Sequence, residues 1–575
     1  MKTSNNCRLV VVLILYFSSL EPLYTQNIEN LSQQKPVSLS GNIDLRGIYY
    51  SANGISPRYP STSYVLSGAP TLNLYGLAIP FAFTFSNQES KIAQPFAQFG
   101  LSPTYKWLTL HGGYRNVSFN QFTLGGHTML GGGIELTPGK FRMGFMYGQL
   151  NKATKLDSTT LSLVPVAFDR TGMAVKIGYG TDKTFFEISA LKASDKMGSA
   201  LFDVSAQQGN PNLSSTTAAE NLALGLNMRI SFSSKLSWDT EAGASGYTKD
   251  VNSSAEIDKS KLPISGNTLD QLLKVNGTTE LYTAVQTALR YKSRSWGLRL
   301  QYRRIDPEYK TMGAYFFNSD IENITIAPQF SIFKNKFRFN GSIGLQRDNL
   351  NKQKKSESKK VIGSANLSTD FTEKLGLDIN YSNYSNNQTP NALRISDTVR
   401  ITQTTQNLSI NPRYTILGEK QSNSIMLSYN LMDLQDFNNT YSQDSKSRNL
   451  SSQNIFLNYN LSFNASNFSI YSTLNYTTIT GSYLSDKNYG VTLGSDKSWK
   501  DNKFNLRGSV SYLLGDRGGE KSTIINGNVG ATYQVNRHHR FALNSFLISN
   551  SPQAASSTNL KYTEIRGEVS YSLLF

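Results

Sequence analysis

The chain of 575 residues contains one cysteine, Cys7, and only four histidines and four tryptophans. A single thiol excludes an internal disulfide framework and any cysteine-based metal centre. No apolar stretch beyond the first 25 residues reaches the roughly 18 residues that a membrane-crossing helix requires. The mean hydropathy of -0.36 agrees with that absence. No shift of composition marks a linker, so an array of sandwich domains is disfavoured. No short fixed repeat is visible either, which speaks against a β-helix.

What the sequence has instead is alternation. Segments of about a dozen residues switch between apolar and polar side chains from Val37 to Phe575, and a period of two sends successive side chains to opposite faces of a sheet. In the final segment Ile565, Val569, Tyr571, Leu573 and Phe575 share one face with Gly567, while Arg566, Glu568, Ser570 and Ser572 take the other. The 31 tyrosines and 30 phenylalanines suit aromatic girdles at two membrane interfaces. A strand that ends on an aromatic resembles the closing strand of bacterial outer-membrane β-barrels. That resemblance implies that Tyr571, Leu573 and Phe575 belong to the signal read by the barrel-assembly machinery.

Residues 1–25 read as a signal peptide, with Lys2 and Arg8 ahead of the apolar run Leu9–Phe17. A short periplasmic segment, 26–36, follows, and 37–575 forms the barrel. Tight turns are expected at Gly76–Leu77, Ser102–Pro103, Pro138–Gly139, Thr181–Lys183, Ser233–Lys235, Ser293–Arg294, Lys334–Asn335 and Glu373–Lys374. Further ones fall at Gly418–Lys420, Ala465–Ser466, Lys500–Asn502 and Asn536–His538. A barrel of n strands with both ends on the periplasmic side has n/2 − 1 such turns. The expected fold is therefore an all-β, transmembrane antiparallel β-barrel of about 26 strands (24–26), with short periplasmic turns and longer extracellular loops. The longer loops are 151–168, 194–217, 249–278 and 433–449.

Several faces are assigned by cost. Leu222, Leu224, Leu226, Met228, Ile230 and Phe232 face lipid, against Asn221, Ala223, Gly225, Asn227, Arg229 and Ser231 inside. Trp296, Leu298, Leu300 and Tyr302 face out, against Arg299, Gln301 and Arg303. Phe337, Phe339, Ile343 and Leu345 face out, against Arg338, Asn340, Ser342 and Gln346. The reverse choice would put arginines in hydrocarbon at about 2–4 kcal/mol each.

Eight inward arginines form the one suggestive constellation: Arg142, Arg229, Arg290, Arg299, Arg303, Arg338, Arg507 and Arg566. Rings of guanidinium groups favour anions in a pore. The plainer alternative pairs them with the inward acids Glu135, Glu187, Asp239, Glu241, Asp378 and Glu568. Lysines 106, 140, 183, 235, 334, 336, 374, 420, 500 and 503 lie at or beside the tight turns. They suit lipid headgroups or a periplasmic partner, or are simply solvated.

No catalytic residue, metal site or cofactor is expected. His538 and His539 sit in a turn with Arg537 and Arg540. His111 and His127 flank 116–126 and could approach Ser118 or another serine, but no nucleophile motif surrounds these serines. A lumen of this girth would leak if empty, so internal loops, a flattened section or a partner must narrow it. Loops 194–217 and 249–278 are the expected internal candidates, the latter for Ile264 and Leu272–Leu273. About a dozen residues before the first strand leave no room for a transporter-type plug domain.

The densest unusual block runs Gln94–Arg115, Thr123–His127 and Gly131–Arg142, glycine-rich as bends or close backbone approach require. With Asn42–Tyr49 and Leu66–Tyr75 it resembles a large outer-membrane β-barrel protein family of Bacteroidetes-type bacteria, over residues 40–195 or so. The resemblance implies fold and an outer-membrane location, and brings no catalytic residues. The expected function is a channel or the barrel of a transport, export or assembly complex. The alternative is a structural barrel closed by its own loops or a partner and acting as a binding platform. Expected partners are outer-membrane lipid and lipopolysaccharide, the assembly machinery, and a plug or periplasmic protein, with no nucleic acid.

Overall fold

The computed structural model describes residues 37–74, 77–87, 98–153, 155–156, 167–199, 201–202, 217–257, 272–353, 359–390, 401–436, 449–481, 484–499, 501–554, 556 and 559–575. The signal and 26–36, the turn residue Gly76, Lys500, Ile264 and most of loops 151–168, 194–217 and 433–449 lie outside the described residues.

Thirty strand segments join in one sheet. Three continue a collinear neighbour across a break and one lies in a loop, which leaves 26 barrel strands. They begin with β1 (Val37–Ser40, continued by Asn42–Asn53), β2 (Thr62–Gly68, continued by Thr71–Leu74), β3 (Leu77–Ser86) and β4 (Gln98–Leu101, continued by Thr104–Tyr105). Next come β5 (Leu108–Asn116), β6 (Thr128–Leu136), β7 (Phe141–Asn151), β8 (Arg170–Gly180), β9 (Phe185–Asp195), β10 (Glu220–Ser231) and β11 (Leu236–Thr248). The wall goes on with β12 (Thr279–Lys292), β13 (Trp296–Ile305), β14 (Ile321–Ile332), β15 (Phe337–Arg347), β16 (Lys359–Asp370), β17 (Leu375–Pro390) and β18 (Ile401–Ile416). It ends with β19 (Gln421–Asp436), β20 (Leu450–Phe463), β21 (Phe468–Gly481), β22 (Leu484–Trp499), β23 (Phe504–Arg517), β24 (Glu520–Gln534), β25 (His539–Pro552) and β26 (Tyr562–Leu574).

Each strand pairs antiparallel with the next, and β26 returns to β1 from Asn42↔Leu574 to Asn53↔Thr563. The barrel is closed, so no edge remains to aggregate. The expected 26 strands are found. One expected turn is misplaced: Ser102–Pro103 is a break within β4, because proline has no N–H for the ladder, and the chain turns instead at Lys106 (φ 53°) and Trp107. The outer connections are not all long, since β21–β22 and β23–β24 are joined by 482–483 and by Gly518–Gly519.

β1 and β2 break opposite each other. Gly41 adopts φ +107°, and a Cβ there would sit 2.3 Å from the Ala69 carbonyl oxygen, beside Pro70. Outside the barrel, large apolar side chains stand exposed all round: Ile177, Leu224, Ile343, Leu474, Val510 and Val569 are examples. Inside, Ser, Asn, Thr and Arg dominate. This is the pattern of a β-protein whose solvent on the outer face is hydrocarbon.

The outward assignment gives a direct test. Leu474→Arg, at a central exposed position of β21, is expected to lower stability by about 2–4 kcal/mol in denaturant unfolding of the vesicle-inserted protein. Thr477→Arg, on the inner face, is expected to change it by less than about 1 kcal/mol.

Candidate functional site: two loops packed on the inner wall

The connection 117–127, between β5 and β6, folds onto the inner face of β7–β11. Phe119, Phe122 and Leu124 are buried there with Met146, Leu191 and Ala223 from the strands. The strands make room by carrying glycine where the loop lies. A Cβ on Gly243 would meet Phe122 at 2.4 Å, one on Gly225 would meet Asn120 at 2.8 Å, and one on Gly144 would meet the Phe119 ring at 2.8 Å. Glycine in a strand interior often marks such a close approach.

Polar contacts fix the loop in register. Asn120 donates to the Leu226 carbonyl (3.2 Å), Asn227 donates to the Phe119 carbonyl (2.6 Å), and Gln121 donates to Glu241. Within the loop Phe122 N donates to Asn120 Oδ1 (2.8 Å) and Phe119 N to the Leu124 carbonyl (2.9 Å). The buried backbone is thereby satisfied, as an interior loop requires.

A second connection, 306–320 between β13 and β14, clamps the first. The Tyr309 hydroxyl donates to the Phe122 carbonyl (2.6 Å), Thr311 donates to the Thr123 carbonyl (3.1 Å), and Gly125 N donates to the Gly313 carbonyl (3.0 Å). Met312 N donates to Asn221 Oδ1 (2.9 Å), which ties both loops to β10. Phe122, Tyr309 and Phe317 pack edge-on and stacked, and His127 stacks on Tyr315 at 4.1 Å. Burial of a side chain such as Phe122 or Met312 contributes about 1.5–3 kcal/mol, offset by ordering of the loop.

Of the expected lumen loops, most of 194–217 and all of 258–271 lie outside the described residues. Among the described residues the packed segments are 117–127 and 306–320, whereas 249–257 and 272–278 cover the outer rim, with Leu273 buried against Gly246 and Leu272 exposed.

The inward arginines are mostly paired. Arg142 bonds to Glu187 and to Asp182 (3.0 Å), Arg229 to Asp239, and Arg290 lies 3.3 Å from Asp239. Arg338 donates to Ser368 (2.7 Å), Arg507 to Asn544 (3.3 Å), and Arg566 lies 3.5 Å from Glu568. Asp378 and Asp370 take Arg413, which the alternation pattern did not single out. Arg299 and Arg303 differ: their Nε atoms are buried with no hydrogen-bond partner among the described residues. Arg299 stands directly opposite Arg290 across β12–β13. With Arg229, Asp239 and Glu241 it lines a cavity of about 160 Å³. Three arginines (229, 290 and 299) and two acids line it, and Arg303 follows Arg299 on the same inner face, an excess of positive charge beside the loop.

The structure also brings His111 to a serine, although not to Ser118. Ser102 Oγ lies 2.7 Å from His111 Nδ1, His111 Nε2 lies 3.1 Å from Glu135, and Lys176 bonds the same carboxylate at 2.9 Å. The chain looks like a proton relay, yet Ser102 is 5% exposed and is followed by Pro103. Proline offers no N–H to an oxyanion, so the cluster reads as a buttress of the β4–β6 wall. His127 is buried in the loop clamp, and His538 and His539 bond to the Leu574 carbonyl and the Tyr571 hydroxyl at the barrel seam. Phe575 N donates to the Gly41 carbonyl there (3.0 Å). Among the described residues no group of three metal-ligating side chains occurs.

No family model matches the chain, and no curated protein matches it. Among solved structures it is similar to the copper transporter OprC (8% identity, 93% of this chain and 80% of that one, TM-score 0.39). It is also similar to the FrpB iron transporter of Neisseria meningitidis (10%, 96% and 83%, TM-score 0.36) and to Acinetobacter baumannii OccAB2 (10%, 62% and 92%, TM-score 0.30). At these values the likeness carries no weight for function.

Tyr309→Phe removes one buried hydrogen bond of about 1 kcal/mol, and amide exchange of 119–125 is expected to quicken about fivefold by mass spectrometry. Gly243→Val is expected to abolish protection of the same amides. Burial holds the His127 pKa below its ordinary 6.5. The docked imidazole thus resists a proton that the released loop accepts, so docking weakens as pH falls below about 6.5. The protection of 119–125, corrected for the intrinsic pH dependence of amide exchange, is expected to fall between pH 7 and pH 5, and His127→Phe to remove that dependence.

Proposed function

We propose that the protein is an outer-membrane channel whose lumen is narrowed from one side by its own loops. The observation that carries this reading is the seating of 117–127 and 306–320 on the inner wall of β7–β13, while inward side chains of the opposite wall remain exposed. Asn366, Asn380 and Asn407 face the lumen and are exposed. A closed barrel with an apolar outer band is built for hydrocarbon, and strand numbers of 26 occur among outer-membrane barrels. Passage of solute then runs between the packed loops and the free wall. The surplus of guanidinium groups around Arg299 and Arg303 biases that path toward anions.

A second reading, a barrel closed to solute that presents its outer loops, draws on one contact. Segment Phe316–Asn318 pairs with the tip of β17 at Phe316↔Pro390, past β15 and β16, and so brings loop 306–320 inward at the outer mouth.

Planar-bilayer recording separates the two. The refolded protein is expected to give steady unitary currents with a reversal potential on the anion side under a salt gradient. Arg299→Ala with Arg303→Ala is expected to move that potential toward zero while conductance stays within about twofold. A silent bilayer from protein shown to be folded by heat-modifiable gel mobility would favour the closed barrel.

A further inference from the structure

The inner wall opposite the packed loops has a different chemistry. Across β16–β20, directly paired inward positions read Asn366, Asn380, Ser409, Asn430 and Asn454. Asn407 and Met432, another directly paired inward couple, lie beside them. Together these residues line a cavity of about 430 Å³. The same neutral band continues through Asn475, Thr492, Ser511 and Asn526 on β21–β24. The nearest charges on this wall sit toward its ends: Asp370, Arg413, Asp496, Arg507 and Asp378, the next inward position along β17 from Asn380, near the turns, and Lys360 near the loops.

These amides do not serve one another. Side chains of Asn366, Asn380 and Asn430 form no hydrogen bond with another described residue, although cross-strand partners stand within reach. Each carboxamide thus keeps two donors and an acceptor directed at the lumen. Met426 and Phe456 share the inner face one row away, next to Ser428 and Asn458.

We propose that this row is a binding track for an uncharged, hydroxyl-rich chain, an oligosaccharide. Hydroxyl groups both donate and accept, as carboxamides do. An ionic solute would find no opposite charge in the band and would lose hydration there. Thioether and aromatic side chains beside the amides suit the C–H faces of sugar rings. The track advances one side chain per strand, about 4.8 Å, a spacing comparable with the rise of one sugar unit along an extended glycan. The inference rests on the channel reading for its biological use, but binding itself does not require conduction.

Two readouts keep the two claims apart. Linear neutral gluco-oligosaccharide is titrated into the native protein, by calorimetry in detergent micelles and as block of single-channel current. Polyethylene glycol of equal size and a sulfated oligosaccharide serve as controls. The native protein is expected to bind the neutral sugar and neither control. The triple variant Asn366→Ala, Asn380→Ala, Asn430→Ala is expected to lose affinity about tenfold or more, with the heat-modifiable gel mobility of the folded barrel unchanged. Asn430→Asp, which preserves side-chain size, supplies a second variant with the same expected direction if the triple variant does not fold. Binding in micelles without current would support the track and overturn the channel. Current without sugar binding, equal affinity for the sulfated sugar, or unchanged affinity in the variants would overturn the track alone.

Discussion

Close packing of loop 117–127 against inward glycines is the contact on which the shape of the lumen depends. A barrel of 26 strands has room for a loop, but room is not a reason for a loop to stay. At Gly144, Gly225 and Gly243 the wall is bare backbone, and Phe119, Asn120 and Phe122 fill the space that side chains would take. Once seated, the loop offers its own carbonyls to Tyr309 and Thr311, so the second loop docks on the first rather than on the wall alone. The order of dependence runs from glycine to loop to clamp.

This packing divides the lumen into two surfaces. One, from β5 to β13, carries His111, Glu135, Lys176, Arg229, Asp239 and Arg299, most of them tied into ion pairs or hydrogen bonds. The other, from β16 to β24, presents amides and hydroxyls across its middle, with its charges toward the turns and loops. Charge held next to a covered, less hydrated wall is stronger than charge in open water, which places the electrostatic influence on solute beside the packed loops. Hydrogen bonding then dominates the free side.

Alternation by two made most of the wall legible, because each outward position faces hydrocarbon and each inward position tolerates polarity. The choice of lipid-facing side for β10, β13 and β15 followed from the cost of arginine in lipid. Ser102–Pro103 misled as a turn: proline and serine mark a lost ladder bond equally well in mid-strand, and only pairing of Ala78 with Thr104 tells the two apart. The packed loops were missed for another reason. Apolar content drew attention to Leu272–Leu273, yet Phe119, Phe122, Leu124, Tyr309 and Met312 satisfy the same criterion. Their meaning lies in partners more than a hundred residues away, at Asn227 and Gly243, which no local pattern exposes. Arg413 escaped notice likewise, since its acids Asp370 and Asp378 sit on other strands.

The most direct test replaces 118–125 with a glycine–serine segment of equal length and compares unitary conductance with that of the native barrel. A severalfold rise, with the barrel still folded, is what a loop seated in the lumen requires. Unchanged conductance would mean that the loop does not bound the path, and that the glycine bed has no part in shaping it.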